Sequence, residues 1–399
     1  MPSSKGRVAA FVLLSAYRAA NIFLGTVRSL LWPRPRPLRA DTVCIYRVGN
    51  VGDTTCALPA LNAIRRAYPN ARLTLLTTPG SRSSPGAKNV LAGVDWIDEI
   101  REYFPAEVKG LKGSVALLAL IRSYRFDVFI ELSNDLARIR VLLRSMLFAR
   151  LAGVKWGGGW SVNTVRWAVQ SQSEQIEFPN EAERLLTDLA RIGISVTDAG
   201  YKLPTGTEAD LRALTLLQGA GIPAAREVVA LAPGAKRSTN RWPAERFAAV
   251  GAEMVRRGYS VVVLGSAGEQ ELAESICRMT GSDCVSLAGK TNVADAAAIL
   301  RRCRLLVCND SGLQHTASAV GTPCVAIFSA RDLWGKWHPH HPNSTMLRKW
   351  VPCHTCFLEE CPNQNLCLTE ISSAEVIDAA VATLLRTLHC DVPAKVEIQ

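Results

Sequence analysis

Four stretches of the chain carry residue types that could do chemistry. In RVGNVGDTTCALPALNAIRRAYP, residues 47–69, Asp53 follows Gly49 and Gly52. The glycines permit a tight turn out of a strand, and Asp53 then falls where an amphipathic helix needs its N-cap. Either Asp53 only caps that helix, or it projects from a rigid strand-to-helix turn as a general base. The G-x-G-x-x-G spacing of a dinucleotide fingerprint is absent.

The second stretch, VVALAPGAKRSTNRWPAERF at residues 228–247, runs from an apolar strand through Pro233-Gly234 and a basic loop to a helix start at Trp242-Pro243. Lys236, Arg237 and Arg241 could neutralise a diphosphate there, with free amides adding to them. A solvated loop on a basic protein is the plainer account. The third, CNDSGLQHTASAVGTP at residues 308–323, ends a strand at Asn309 and enters a helix through Asp310-Ser311-Gly312, with His315 one turn in. Free N–H groups at Ser311, Gly312 and Leu313 would form an anion site helped by the helix dipole. Taken singly, Asp310 reads as a cap and His315 as a structural histidine; together at one strand end they suggest a donor phosphate pocket. Glu269, in LGSAGEQE after another strand, stands where such units often bind ribose hydroxyls, and equally where a helix-start Glu is common. Ala288-Gly289-Lys290-Thr291 ends like a P-loop, but Cys284 holds the upstream glycine position, so ATP hydrolysis is not indicated.

The fourth stretch is PCHTCFLEECPNQNLCL. Its Cys353, Cys356, Cys361 and Cys367 have the spacing C-x2-C-x4-C-x5-C, which suits a structural tetrathiolate site for zinc or iron with no open position for catalysis. Four reduced thiols, or two disulfides, are the alternatives. The other eight cysteines are scattered, mostly in apolar runs, which places the chain in a reducing compartment.

These stretches need elements to hold them. Apolar runs at 42–46, 72–77 and 127–132 read as strands and 54–67 as a helix. Residues 133–200 are Arg-rich and mixed, and a Gly/Ala/Pro stretch at 204–225 reads as a connection. The alternation restarts with strands at 228–232, 260–264, 304–308 and 323–328 and helices at 244–257, 268–280, 293–302 and 312–320. Strands alternating with helices of this length imply parallel sheets with right-handed crossovers, hence two doubly wound α/β domains facing a cleft. The expected limits are 41–205 and 226–372, the latter holding the Cys cluster at 353–367, with a last helix at 373–390 crossing back to the first domain.

The net charge is +11, and residues 1–40 hold seven lysines and arginines and no acidic residue. The remainder is only mildly basic, and no RRM, KH or zinc-finger spacing occurs, so nucleic acid is not the expected partner. Residues 8–31 are apolar but interrupted by Arg18 and Asn21. A spanning helix would bury that arginine at about 2.5–3.5 kcal/mol, and a cleaved signal is poorly matched. Arg7, Arg18, Asn21, Gly25 and Arg28 share one side of a helical wheel, opposite a wide apolar face. That suits an amphipathic helix lying in a membrane surface, against the alternative of a helix packed on the protein itself. The expected location is cytoplasmic, peripheral to the inner membrane.

From Thr42 to Leu385 the chain resembles the heptosyltransferases, glycosyltransferase family nine. The resemblance rests on G-D-x-x-x-x-L-P-A-L (Gly52 to Leu61), P-G-A…R-W-P-x-E-R-F (Pro233 to Phe247), L-A-G-K-T (Leu287 to Thr291) and N-D-S-G-x-x-H-x-A-x-A-x-G-T-P (Asn309 to Pro323). It implies the GT-B fold of two Rossmann-like domains. It also implies inverting transfer of heptose from ADP-heptose to a lipopolysaccharide inner-core acceptor, without a catalytic metal. On that reading Asp53 is the base, Asp310 and His315 belong to the donor pocket with Gly234, the Ser311 and Gly312 amides hold the diphosphate, and Glu269 contacts the ribose. Relatives commonly carry Lys where this chain has Asn240, so Lys236, Arg237 or Arg241 substitutes for it, or donor affinity or specificity differs. Arg138, Arg140 and Arg144 are candidates for acceptor phosphates, against a solvated helix face. Some relatives resemble this chain in carrying a Cys-bound metal. Two other functions fit the same pattern: a GT-B enzyme with another nucleotide sugar or acceptor, and an inactive scaffold at a membrane surface.

Overall fold

The computed structural model describes residues 4–82, 84–134, 137–162, 177–195 and 200–390. It divides into two units, Met1–Gly200 and Tyr201–Gln399. Each is built on one parallel sheet.

In the first unit β1 (Thr42–Val48), β2 (Arg72–Thr78), β3 (Glu99–Glu102), β4 (Val128–Glu131) and β5 (Trp156–Gly158) lie in the order β3-β2-β1-β4-β5. β1 pairs in parallel with β2 and with β4, so the strand order reverses between β1 and β4, where sheets of this kind bind ligands. Near-continuous burial along TVCIYRV and RLTLLTT is what a sheet covered on both faces requires. One face, carrying Cys44, Leu76 and Phe129, shares a core with α1 (Ser4–Leu31), α5 (Gly110–Ser123) and α6 (Ile139–Leu151). Trp32, Trp160 and Phe129 stack in series within it, with centroids 5.3 and 5.8 Å apart. The expected helix at 54–67 is two, α2 (Val51–Cys56) and α3 (Leu58–Ala67), because Pro59 suits only the first turn of a helix. A one-turn helix, α4 (Ala87–Val90), precedes β3. α3 packs on α7 (Glu181–Arg191).

The N-terminal helix differs from its expectation. Leu24 and Trp32 are buried in the first unit, and of the polar side Asn21 and Arg28 turn inward while Arg18 stays exposed. Asn21 exchanges two hydrogen bonds with the Val162 backbone (2.9 and 3.1 Å). Arg28 Nε donates to the Gly157 carbonyl at 3.0 Å and its guanidinium lies over Trp156. β5 is an edge strand, and its free backbone groups need partners; Arg28 supplies one at Gly157, while Asn21 holds the chain beyond the strand at Val162. Ile22, Phe23 and Leu30 are left exposed. Among the described residues no helix is long and apolar enough to cross a membrane.

The second unit holds β6 (Val228–Ala232), β7 (Ser260–Val263), β8 (Cys284–Ser286), β9 (Cys303–Asn309), β10 (Cys324–Ile327) and β11 (Thr345–Leu347) in the order β11-β10-β9-β6-β7-β8. Here the reversal falls between β6 and β9. Helices α9 (Ala244–Arg256), α10 (Gln270–Thr280), α11 (Val293–Leu300) and α12 (Gly312–Ala319) link the strands. The stretch expected as a connection is instead helix α8 (Thr207–Gly219), with Ala209, Ala213 and Leu217 buried at helical spacing against α11. Alanine and leucine favour a helix wherever one side can be buried. After the one-turn α13 (Leu366–Thr369), α14 (Ser373–Cys390) buries Val376, Ala380 and Leu384 in the core under α9 and β10.

Candidate functional site

The second unit gathers its predicted donor residues at the β6/β9 reversal. β6 delivers Pro233-Gly234 and β9 delivers Asn309-Asp310, and Asn309 ties the two ends together. Its Nδ2 donates to the Pro233 carbonyl at 2.6 Å, and its Oδ1 accepts from the Trp242 amide at 3.1 Å. A Cβ at Gly234 would lie 2.0 Å from Glu269 Oε1, so a side chain there would displace the Glu269 carboxylate. Glu269 Oε2 meanwhile accepts from the Ser266 amide and hydroxyl, both at 2.8 Å, and so closes the turn after β7. Glu269 therefore serves its own helix start and stands against Gly234.

Asp310 is enclosed. Its Oδ2 accepts from Asn240 Nδ2 and its Oδ1 from Gln314 Nε2, each at 3.2 Å. Burial and nearby Asp332 push its carboxyl up to about 7, against the pull of Arg331, Arg237 and Lys336. Ser311 then begins α12, whose first-turn amides have no carbonyl upstream to bond. The buried Ser311 Oγ and Gln314 Oε1 have no hydrogen-bond partner among the described residues. His315 is buried, its ring edge-on to Trp337 at 6.0 Å. What the arrangement offers a ligand is free amides, a free hydroxyl and a dipole, the needs of an anion.

The basic loop is partly committed. Arg237 pairs with Glu359 at 2.8 Å, and Arg241 donates to the Ala235 carbonyl. Lys236 is exposed. Two cations that sequence reading missed, Arg331 and Lys336, are buried in the loop after β10. Position after a strand end was the available signal, but strand-end loops are rich in basic residues throughout this chain.

In the first unit Asp53 is the third residue of α2, its side chain 31% exposed. Its Oδ2 accepts from the Asn50 amide at 3.1 Å, and Arg47 Nη2 stands 3.8 Å from Oδ1. Gly49 is obligatory, because a Cβ there would lie 2.1 Å from that of Asp53. Arg47 is itself buried, donating to Glu181 at 2.8 Å and to the Leu132 and Ser133 carbonyls. At the β1/β4 reversal a cavity of about 470 Å³ is lined by Tyr46, Glu131, Arg138 and Arg140 among others. Arg144 is exposed and near the Tyr46–Tyr103 hydroxyl pair, where burial raises both phenol pKa values and the Arg144 charge opposes that rise only in part. Glu131 is buried, accepts from Ser145, and is pushed up to about 7 by burial.

The cysteine quartet is a correction. Cys353, Cys356, Cys361 and Cys367 lie in one loop with no disulfide among them, close enough that the first three raise the Cys367 thiol after burial has done so. Among the described residues, however, no group of three or more His, Cys, Asp or Glu is arranged to hold a metal ion. Spacing set the thiols side by side; the loop's tertiary path, with Glu359 drawn to Arg237 and Arg331, does not converge them.

Two doubly wound parallel-sheet units of these orders define the GT-B class of fold. A model of "Glycosyltransferase family 9 (heptosyltransferase)" matches residues 115–367, more than half of the chain, which therefore belongs to that family. Lipooligosaccharide heptosyltransferase 2 of Haemophilus influenzae is 35% identical over 108 residues, 26% of this chain. At that level of identity the chain spans 31% of the length of the curated relatives it matches. Among solved structures, the glycosyl transferase family 9 protein of Veillonella parvula superposes with TM-score 0.72 at 20% identity, covering 88% of this chain and 100% of that one. The Escherichia coli ADP-heptose lps heptosyltransferase II follows with 0.61 at 20% identity, covering 87% and 99%.

Proposed function

We propose that the chain is an inverting glycosyltransferase that moves heptose from ADP-heptose to an inner-core lipopolysaccharide acceptor. The observation that carries this is the anion-binding end of α12 beside Asp310 and Gly234, at the β6/β9 reversal of a family 9 protein. The E. coli relative named for ADP-heptose and lps supports the choice of substrates. In this reading the Ser311 and Gly312 amides hold the diphosphate, with Lys236 and Arg241 near it, Glu269 meets the ribose, and Asp310 and His315 shape the pocket.

Asp53 acts as general base. It takes the proton from the acceptor hydroxyl as that oxygen attacks the anomeric carbon, the bond to the diphosphate breaks, and ADP leaves with the negative charge. Charge on the leaving group is met by fixed amides and cations that need no reorganisation. Arg138, Arg140 and Arg144 take acceptor phosphates. Because such an acceptor is lipid-borne, the chain works in the cytoplasm at a membrane surface.

Calorimetric titration of ADP and UDP into the purified protein, with Asp310→Ala as control, tests this. Binding of ADP that is lost in the variant is expected, and makes ADP-heptose the donor to assay. A second reading, another nucleotide sugar on the same fold, is favoured by Asn240, whose amide is committed to Ser329 and Asp310 instead of presenting a cation. Preference for UDP selects it. Binding of neither nucleotide points to an inactive scaffold.

A further inference from the structure

Three helices cover one face of the first sheet, and they share an unusual composition. α1, α5 and α6 together contain nine lysines and arginines and no Asp or Glu. All three contribute to a single core with Cys44, Leu76 and Phe129, so their outer sides look away from the same sheet face. Those outer sides expose large apolar side chains among their cations. Leu30 on α1 is 78% exposed, Leu111 on α5 82%, and Leu147 and Leu151 on α6 53% and 55%. The outer side of α6 reads Ile139, Arg140, Val141, Arg144, Leu147, Arg150 and Leu151, apolar and cationic only.

The cations are also unpaired. Arg18, Lys112, Arg122, Arg140, Arg144 and Arg150 are exposed, and none has a carboxylate partner among the described residues. Elsewhere exposed arginines such as Arg82 and Arg256 do. A solvated face gains nothing from large aliphatic side chains, and a nucleic-acid groove would not set leucines between its cations. A second copy would bring six like charges against six.

We propose that this three-helix face docks on an anionic phospholipid bilayer, its leucines entering the headgroup boundary and its cations meeting lipid phosphates. It extends the membrane-surface reading above from one helix to a whole face of the first unit. It rests on that reading for its purpose, but its test reads lipid binding alone.

Full-length protein is sedimented with phosphatidylcholine vesicles and with equimolar phosphatidylcholine–phosphatidylglycerol vesicles, at low and high salt. Binding is expected to the anionic vesicles only and to weaken with salt. Lys112→Ala and Arg150→Ala should each lower partitioning about fivefold, and Leu111→Glu at least as much, while Arg66→Ala on α3 leaves it unchanged. ADP titration of the same samples reports separately on the transferase reading. Equal or absent binding to the two vesicle types overturns the proposal. So does loss on Arg18→Ala with no effect of the α5 and α6 variants, which would confine docking to α1. A dimer in solution that Leu147→Glu dissolves would make the face a protein contact instead, and likewise overturn it.

Discussion

Asn240 Nδ2 donates to Asp310 Oδ2 at 3.2 Å, while Asn240 Oδ1 accepts from Ser329 Oγ at 2.8 Å. With Gln314 on its other oxygen, Asp310 has two neutral amides, and no cation, as its direct partners among the described residues. The cations near it act only at longer range, which is why burial prevails and the carboxyl is raised to about 7. Asn240, read from the sequence as standing where relatives carry a phosphate-facing Lys, is a partner of the carboxyl beside the start of α12.

That relationship gives ADP binding a pH dependence. Below about 7 Asp310 is neutral and can donate a hydrogen bond to a diphosphate on the adjoining amides, a donor that Asp310→Ala lacks. As pH rises through that value it ionises and repels the ligand. ADP affinity should therefore fall between about pH 6 and 8. In Asp310→Asn it should stay flat, and calorimetry across that range compares the two.

Asp53→Asn keeps the volume of the side chain and removes the base. Turnover of donor and acceptor should fall by about 10²–10⁴, with ADP affinity unchanged. Wild-type turnover in this variant would leave Asp53 with only the capping role that its bond to the Asn50 amide already gives it.

Arg47 and Glu181 are both buried, and Arg184 joins them at 2.7 Å. Glu181→Gln leaves two buried guanidinium groups without their shared carboxylate. Urea unfolding should show a loss of about 3–5 kcal/mol. Asp188 remains with Arg184 at 2.8 Å, so a result toward the lower end is expected.

Gly234→Ala places a methyl where Glu269 Oε1 now lies, at 2.0 Å. Glu269 must then swing off the Ser266 turn. ADP binding should weaken by about tenfold or more while the melting temperature moves by a few degrees at most, since the displaced side chain is at the surface. Glu269→Gln, which keeps the shape, should be milder in both measurements.

Glu131 is raised from the ordinary glutamate value to about 7 by burial. The folded state therefore holds a proton that the unfolded chain has released above about 4.5. The stability this provides is complete below that value and is lost as pH rises toward 7. Glu131→Gln should flatten the decline of stability between about pH 5 and 8. Asp310 acts with the same sign, so part of the decline should remain.

Much of this molecule was legible in the sequence. Strands such as VVALA and SVVVL are apolar throughout because both faces of a parallel sheet are covered, and that signal survives in a single sequence. The strand-end residues Asp53, Gly234 and Asp310 were legible because a ligand site at a strand's carboxyl end needs a turn, and turns have restricted chemistry. The edge strands β3, β5, β8 and β11 were not. They are three or four residues long, and EIRE or WGG has no period to read. The helix at 207–219 was hidden by the Gly/Pro-rich residues on either side of it, although its own alanines and leucines favour a helix.

Local order, then, came from the sequence by itself: the alternation of elements, the two-domain repeat, the strand ends that carry chemistry, and the basic character of the N-terminus. Only the tertiary structure decided which faces meet. It turned Arg28 onto the β5 edge and Asn21 onto Val162 beyond it, made Asn240 a partner of Asp310, set the cysteine quartet side by side without a ligand geometry, and brought α1, α5 and α6 onto one sheet face. Periodicity is a property of neighbours along the chain. Pairing of edge groups and burial of a carboxylate depend on residues 70 to 141 positions apart, whose separation no local pattern records.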